Sequence, residues 1–383
     1  MLLRATQAVV DLSAIRNNIG IIRRSLPPGS RVLVVVKGNA YGLGAVKISK
    51  MLQLNGVDYL GVAAISEIME LRNASISLPI LMFTEPFIEE YRQLVENEAT
   101  ATVFSFKTAY DLDVAAGTLG RSIKVHLKVD TGMGRVGCPY EDAYEIATRI
   151  KRELKYARLE GIYTHFPVAE EPDTAGNREF TLEQIRKMKE LRDRLKLDIP
   201  RLIFHCANTG GVLNFPEAAF DMVRVGIAAY GCNPSQQGRS LELENVLTLK
   251  TRVIFTKRVP AGTPVSYGME YKTPKETTIA TLPVGYADGY PRALSGKGQV
   301  MINGRKYTIA GRVCMDMCMI DVGDDPVKVG DEAILIGDSE GHSFRVEDIA
   351  RICGTIPYEV LVRISPRVSR LHNGQEGIDM IQE

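Results

Sequence analysis

The chain has 383 residues, enough for two or three domains and for a buried core that needs neither disulfides nor a structural metal. Its 45% hydrophobic and 24% charged residues are typical of a globular protein, and 47 Lys and Arg nearly balance 46 Asp and Glu. No excess of one charge favours general binding to nucleic acid or to a membrane surface, so any anion must be bound locally.

The cysteines and the apolar segments predict a cytoplasmic protein. The six cysteines form no CxxC pair, and residues 1–30 lack the apolar segment of a secretory signal. Cys314 and Cys318 lie four positions apart, but no nearby Cys or His completes a zinc site, so we expect no metal. No apolar run approaches the ~20 residues that cross a bilayer. We therefore expect reduced thiols and no transmembrane segment.

Strand-like and helix-like segments alternate through the first part of the chain. Eight runs rich in Val, Ile and Tyr are separated by stretches whose apolar residues recur every three or four positions. The runs are residues 31–36, 59–64, 79–84, 101–105, 124–129, 159–166, 202–208 and 222–227. Helices are predicted from Asp11 as an N-cap and from Thr181, with Gln184 completing a capping box. The pattern predicts a (β/α)8 TIM-type barrel, with an open doubly wound sheet as the alternative.

The pattern changes near residue 240, after a polar segment at 233–245. Later runs favour β-strands, at residues 251–259, 277–284, 300–309, 318–322, 332–337 and 358–364. Asn303-Gly304 lies within one of them and signals a two-residue hairpin. We predict a barrel domain over 1–240 and a smaller, mainly β domain over 241–383, with a first strand near 5–12 that is open to either domain.

Polar residues at the ends of the predicted strands are the candidates for a site, because a barrel places its site there. Lys37 directly follows the first buried strand, where desolvation lowers the pKa of an amine. Such an amine suits a Schiff base with a carbonyl cofactor, although this feature alone favours a lysine that reaches solvent at the barrel mouth. The ends of the sixth to eighth strands supply His165, Asn208, Thr209, Arg224 and Gly226. Thr209 and free N–H groups near it suit a phosphate.

Two further sets of residues allow more than one interpretation. Gly132, Gly134 and Gly137 match the GxGxxG dinucleotide fingerprint, but this unit is the fifth along the chain and the next strand lacks a terminal acid, which disfavours a nicotinamide site. Polar and aromatic residues gather in glycine-rich turns of the second domain, where single tyrosines usually pack with a solvated hydroxyl. They are Tyr267, Tyr286, Arg292, Arg312, Met315 and Asp316, with Tyr358 following.

Nine motifs follow one another along nearly the whole chain. They are KGNAYGLG (37–44), KVDTGMGRVG (128–137), THF (164–166), HCANTGG (205–211), MVRVGIAAYG (222–231), VSYG (265–268), GYADGY (285–290), GRVCMDMCMIDV (311–322) and IPYEV (356–360). In this order they resemble the alanine racemase family, whose members are pyridoxal 5'-phosphate enzymes with a (β/α)8 barrel and a C-terminal β domain. The presence of several independent motifs makes the resemblance specific.

The resemblance implies a role for each matching residue at the cofactor. Lys37 is the Schiff-base lysine, and Arg224 hydrogen-bonds the pyridine nitrogen. Arg135 contacts the phenolic oxygen and the substrate carboxylate, supported by Lys128 as a carbamylated lysine. The residues that bind the phosphate group are Tyr41, Thr209, Gly226, Ile227 and Tyr358. The remaining cofactor contacts are His165 and Asn208.

The resemblance also implies a two-base mechanism in a homodimer. Racemisation needs a base on each face of the amino-acid Cα, and the family pattern assigns Lys37 to the D-isomer and Tyr267, donated by the partner subunit, to the L-isomer. Tyr267 needs cationic help from His165 and Arg224, because a free tyrosine has a pKa near ~10. Met315 of the partner binds the substrate carboxylate through its N–H. Residues around the entrance are Glu170, Tyr286, Arg292, Arg312 and Asp316.

Departures from the family pattern make the predicted substrate less specific. KGNAYGLG stands where KANAYGHG is common, Thr209 where serine is usual, and ILMFTEP (80–86) and PVAEE (167–171) also differ. We expect L- and D-alanine as substrates and supply of D-alanine for peptidoglycan, with a serine or broader-specificity racemase as the alternative. A pyridoxal-phosphate decarboxylase would have a Cys-Asp pair, which Met315 interrupts here. A non-catalytic pyridoxal-phosphate module would resemble the barrel alone.

Overall fold

The strands of the first part of the chain build a parallel barrel. The structure, a computed structural model, describes residues 4–234 and 239–374. Up to residue 234 the strands are β1 (Gln7–Asp11), β2 (Arg31–Val35), β3 (Tyr59–Val62), β4 (Ile80–Met82), β5 (Thr100–Val103), β6 (Ile123–Asp130), β7 (Cys138–Pro139), β8 (Ala157–Tyr163), β9 (Ile203–His205) and β10 (Met222–Val225). Eight of them pair in parallel in the order β10-β2-β3-β4-β5-β6-β8-β9.

The seam between β9 and β10 is bridged by backbone hydrogen bonds, from Arg224 N to Ala207 O at 2.9 Å and from Asp221 N to Phe204 O at 3.0 Å. All eight predicted strands are therefore present, the barrel prediction is confirmed, and the open-sheet alternative is wrong. Buried aliphatic side chains such as Val32, Val34 and Leu60 explain why these runs read as almost continuously apolar.

Helices connect the barrel strands. They span Leu12–Arg24, Ala45–Leu54, Ile65–Asn73, Tyr91–Glu96, Phe106–Thr118, Ala143–Glu153, Asn177–Leu195 and Thr209–Asn214, with a short turn at Lys37–Tyr41. Asp11 is the predicted N-cap and accepts from Ser13 N and Ala14 N. The predicted capping box at Thr181 is wrong, because the helix begins four residues earlier and the Thr181 hydroxyl donates to Asn177 O within it.

The remainder of the described chain is mainly β. Its strands are β11 (Leu247–Arg252), β12 (Phe255–Val259), β13 (Pro264–Val265), β14 (Tyr271–Lys272), β15 (Thr277–Leu282), β16 (Gln299–Ile302), β17 (Arg305–Thr308), β18 (Cys318–Gly323), β19 (Glu332–Ser339), β20 (His342–Phe344) and β21 (Ser369–Asn373). The Asn303-Gly304 hairpin joins β16 to β17 as predicted. Helices span Val346–Cys353 and Pro357–Val362.

The predicted strand at 358–364 is wrong, because this segment is the helix Pro357–Val362. Proline occupies the first helical turn, where its missing N–H costs nothing. Val360, Leu361 and Ile364 are buried, a spacing that fits a helix better than a strand. The helix packs on the turn after β2, so that a β-carbon added at Gly42 would lie 2.8 Å from Leu361 O. Tyr358 is thereby held at the barrel mouth.

The first strand of the chain lies in the second sheet and not in the barrel. β1 pairs antiparallel with β11 and parallel with β21, in the order β17-β16-β19-β11-β1-β21. The second sheet therefore contains one strand that precedes the barrel in the chain, β1, and strands that follow it. Within the described residues, no helix is long and apolar enough to cross a membrane.

Candidate active site

The carboxyl ends of the barrel strands open into a cavity of about 910 Å³. It gathers most of the residues that the sequence singles out. Those lining it are Lys37, Tyr41, Lys128, Arg135, His165, Glu170, Asn208, Thr209, Arg224, Gly226 and Tyr358. Those that do not line it are Ile227, Tyr267, Tyr286, Arg292, Arg312, Met315 and Asp316.

A left-handed turn presents Lys37 and Tyr41 to the cavity. Residues 38–41 all have positive φ, between 52° and 63°, a conformation that costs roughly 1–2 kcal/mol for each residue with a β-carbon. Glu67 stabilises the turn by accepting from Gly38 N at 2.6 Å and from Ala63 N at 2.8 Å. Burial, with the Arg135 charge, lowers the pKa of Lys37, which increases the nucleophilic, unprotonated fraction of its amine.

Neutral hydrogen-bond donors lie at one end of the cavity, with the buried Ile227 next to them in the chain. Gly226 N donates to Thr209 Oγ1 at 3.3 Å, and Ile227 opens a 3-10 turn, so its N–H has no partner within that turn. The Tyr41 hydroxyl lies beside Gly226. Burial raises the pKa of Tyr41 and of Tyr358, so both hydroxyls keep their protons. This donor set suits a phosphate group.

Arg224 is fixed on the cavity floor by five acceptors, one of which, His165, is described below. Its NH1 donates to His205 O at 2.7 Å and to His205 Nδ1 at 3.0 Å. Its NH2 donates to Thr164 O at 2.7 Å and to Cys206 O at 3.0 Å. Among the described residues, none accepts from its Nε–H. A charged donor is therefore held at the cavity with one N–H to spare.

His165 is a neutral residue at this floor. Burial, together with the Arg224 charge, lowers its pKa well below the usual value. Its Nδ1 lies 3.3 Å from Arg224 NH2 and must accept that hydrogen bond. The ring proton therefore sits on Nε2, which makes His165 a hydrogen-bond donor through that atom.

Lys128 is a buried lysine between two cations. Only 2% of the residue is exposed, and burial, together with the charges of Arg224 and Arg135, lowers its pKa to about 7. Its amine donates to Val129 O at 3.1 Å and lies 5.4 Å from the centre of the Tyr163 ring. A partly neutral amine in this position can react with carbon dioxide, so carbamylation stays a prediction with a physical basis.

Apart from the buried Ile227, the predicted residues outside the cavity lie in the second part of the chain, and several of them form one exposed cluster. Tyr267 is 72% exposed and Met315 is 53% exposed. Backbone bonds join their loops, from Tyr286 N to Cys314 O and from Ala287 N to Met315 O, both at 3.0 Å. Ser266 Oγ, next to Tyr267, donates to Arg312 O at 2.7 Å. We call Tyr267, Tyr286, Arg312 and Met315 the exposed cluster.

Sequence reasoning missed several residues of the cavity wall. Tyr163 stacks on His205 with ring centres 4.7 Å apart and hydrogen-bonds Thr102 at 3.0 Å. It lies two positions before His165, and the period of two along a strand signals a shared face. Phe83 lines the wall at the end of β4, where strand-end position was a usable signal. No sequence pattern marked Glu67, because it acts by accepting a hydrogen bond from Gly38 N, in the turn after a different strand.

Known proteins match this chain over almost its whole length. Models of the alanine racemase N-terminal and C-terminal domains match residues 10–234 and 246–372. An alanine racemase from Desulforamulus reducens is 42% identical, with 96% of this chain and 98% of that protein covered.

Solved structures agree with the sequence matches. An alanine racemase structure from Clostridium difficile superposes with a TM-score of 0.89 at 37% identity, covering 97% of each chain. Another, from Bartonella henselae with covalently bound pyridoxal phosphate, has a TM-score of 0.84 at 28% identity, covering 96% of this chain and 99% of the other. The protein belongs to the alanine racemase family, whose members are isomerases.

Proposed function

We propose that the protein is a pyridoxal-phosphate-dependent alanine racemase that interconverts L- and D-alanine. The observation that carries the proposal is the meeting, in one cavity, of an amine with lowered pKa, a cluster of neutral donors and a spare guanidinium N–H. When bound, pyridoxal phosphate acidifies the Cα–H of an amino acid attached to it, which is the chemistry that racemisation needs.

The residues of the cavity fit this cofactor. Thr209, with the N–H groups of Gly226 and Ile227, would bind its phosphate, and Lys37 would attach to its aldehyde carbon. Arg224 would donate its Nε–H to the ring nitrogen. Because a guanidinium has no acceptor, Arg224 would leave that nitrogen unprotonated, which would favour simple return of a proton to Cα over transamination.

Two bases move the proton at Cα. Lys37 Nζ exchanges it on one face, where burial keeps part of the amine unprotonated. Tyr267 of a second copy exchanges it on the opposite face through its hydroxyl. His165 would assist that hydroxyl with its Nε2–H, and Arg135 would bind the substrate carboxylate.

A homodimer with shared active sites accounts for the exposed cluster. Tyr267 is 72% exposed in one copy, so its side chain is free to enter the cavity of another copy and reach the substrate Cα there. The same docking brings the Met315 N–H to the substrate carboxylate and surrounds the entrance with Arg292, Arg312 and Asp316. We propose an amino-acid substrate and no nucleic-acid or membrane partner.

The entrance is polar and suits a small zwitterion. The Tyr358 hydroxyl lies 3.4 Å from Glu170, and both residues line the cavity. We infer that alanine is the preferred substrate and that the enzyme works in the cytoplasm, supplying D-alanine for peptidoglycan. Comparing racemisation rates for alanine, serine and lysine tests this preference.

The loaded protein tests the proposal directly. Wild type should carry the visible absorbance of bound pyridoxal phosphate and convert L-alanine to D-alanine, and Lys37→Ala should lose both. Lys107→Ala is the matched control, because the Lys107 side chain is 81% exposed. A colourless wild-type protein would contradict the proposal, and release of carbon dioxide would identify a decarboxylase.

A further inference from the structure

A row of hydrogen-bonded side chains runs through the barrel interior, away from the cavity. Arg224 contacts His205, as described above, and His205 Nε2 lies 2.9 Å from His126 Nδ1. His126 Nε2 lies 3.2 Å from a carboxylate oxygen of Glu160. Both histidines are completely buried and Arg224 is 3% exposed. We call Glu160, His126 and His205 the interior relay.

Arg224 dictates the direction of every hydrogen bond in the interior relay. A guanidinium can only donate, so His205 Nδ1 must accept and the His205 proton must sit on Nε2. That proton can be given only to His126 Nδ1, which places the His126 proton on Nε2. Glu160 then accepts it as a carboxylate. The arrangement has one consistent assignment, with two neutral histidines of the same tautomer.

Glu160 closes the row near the amino-terminal ends of the strands. Its carboxylate also binds Lys124, at 2.6 Å, and the Tyr59 hydroxyl, at 2.7 Å. Burial acts to raise the pKa of Glu160, but hydrogen bonds from His126, Lys124 and Tyr59 outweigh it and lower the pKa to about 2. Glu160 is therefore an anion at neutral pH.

The barrel makes room for this row. Gly161 pairs with His126 across β6 and β8, next to a register shift at Val125/His126. A β-carbon at Gly161 would lie 2.7 Å from His126 Cε1 and 2.8 Å from its Nδ1. A larger residue would push the His126 ring out of the position in which its Nδ1 accepts from His205. Gly161 and the neighbouring register shift therefore leave the space that this ring needs.

We propose that the interior relay is a positioning device for Arg224, in which Glu160 acts through two neutral histidines to hold the guanidinium with its Nε–H directed into the cavity. The relay gives the two histidines a final hydrogen-bond acceptor without placing a negative charge in the cavity, where it would compete for the donors. Second-sphere partners of this kind orient a charged group that contacts a ligand. The proposal rests on the proposed function.

Three variants of the full-length, cofactor-loaded protein test the relay. Glu160→Leu removes the last acceptor and should lower kcat for alanine about tenfold with little change in KM, since substrate contacts are untouched. It should also shift the visible absorption maximum of bound pyridoxal phosphate. Glu160→Gln keeps an acceptor oxygen and should restore most of kcat. Lys107→Ala, whose side chain is 81% exposed and contacts no member of the relay, should behave as wild type.

Histidine tautomers give a readout independent of catalysis. The chain has five histidines, so ¹⁵N-histidine labelling should resolve His126 and His205, both protonated on Nε2 alone at pH 7. A proton on Nδ1 of either residue, or a charged ring, would overturn the relay whether or not Glu160→Leu folds. Unchanged kcat and absorbance in a folded Glu160→Leu protein would also overturn it. Absence of racemisation by wild type, with the expected tautomers, would instead contradict the proposed function.

Discussion

The hydroxyl of Tyr41 lies over the backbone of Gly226, so close that a β-carbon added there would come within 2.5 Å of the hydroxyl oxygen. The contact joins the left-handed turn after β2 to the 3-10 turn after β10. Because the Gly226 N–H and the Thr209 hydroxyl lie at the same place, the position of Tyr41 is coupled to the proposed phosphate site.

Gly226→Ala should therefore weaken cofactor binding. The new methyl group pushes the Tyr41 hydroxyl away, and losing one charge-assisted hydrogen bond of about 1.5–3 kcal/mol weakens binding at least about tenfold. Equilibrium titration with pyridoxal phosphate measures the change. Gly20→Ala, in a helix with its nearest neighbour at 3.6 Å, is the control. Unchanged affinity in Gly226→Ala would place the phosphate elsewhere.

Lys128 should carry a carbamate whose formation depends on pH. Only the neutral amine reacts with carbon dioxide, and burial lowers the pKa of Lys128 to about 7. The carbamate should thus be present at pH 8 and be lost as the pH falls below about 7, where the amine becomes protonated. ¹³C NMR after equilibration with ¹³C-bicarbonate tests this, with Lys128→Gln as the blank and Lys124→Met as the control. Absence of a Lys128-dependent signal at pH 8 would exclude the modification.

Gly61 packs directly against Phe83, which lines the cavity. A β-carbon at Gly61 would lie 2.5 Å from Phe83 Cζ and 2.8 Å from Leu33 Cδ2. Gly61→Ala should destabilise the fold by about 1–3 kcal/mol, as overpacking does. The smaller side chain in Phe83→Leu should relieve much of that cost in the double variant. Chemical denaturation of all four proteins gives the coupling energy, and strictly additive effects would show that the contact is not the cause.

The barrel was predictable because its eight strands are buried on both faces and each gives a short apolar run. Strand-end position then identified Lys37, Thr209 and Arg224 without any knowledge of contacts. The helix at Pro357–Val362 was missed because Val360, Leu361 and Val362, with Ile364 just beyond the helix end, also fit a buried strand.

The interior relay could not be predicted from sequence patterns. His126 and Glu160 lie inside strands, where a polar residue gives no sign of its partner. Their meeting depends on a register shift between β6 and β8 and on the space left by Gly161. Such contacts between distant units follow from the closed barrel and not from local periodicity.

Subunit complementation tests most directly the central claim that Lys37 of one copy works with Tyr267 of another. Lys37→Ala and Tyr267→Phe proteins should each be inactive, but mixing their subunits should restore about a quarter of wild-type racemase activity, because half of the dimers are mixed and each has one intact site. Mixing either variant with itself is the control. No recovery in mixed dimers whose formation is verified would contradict the shared active site and place both bases in a single chain.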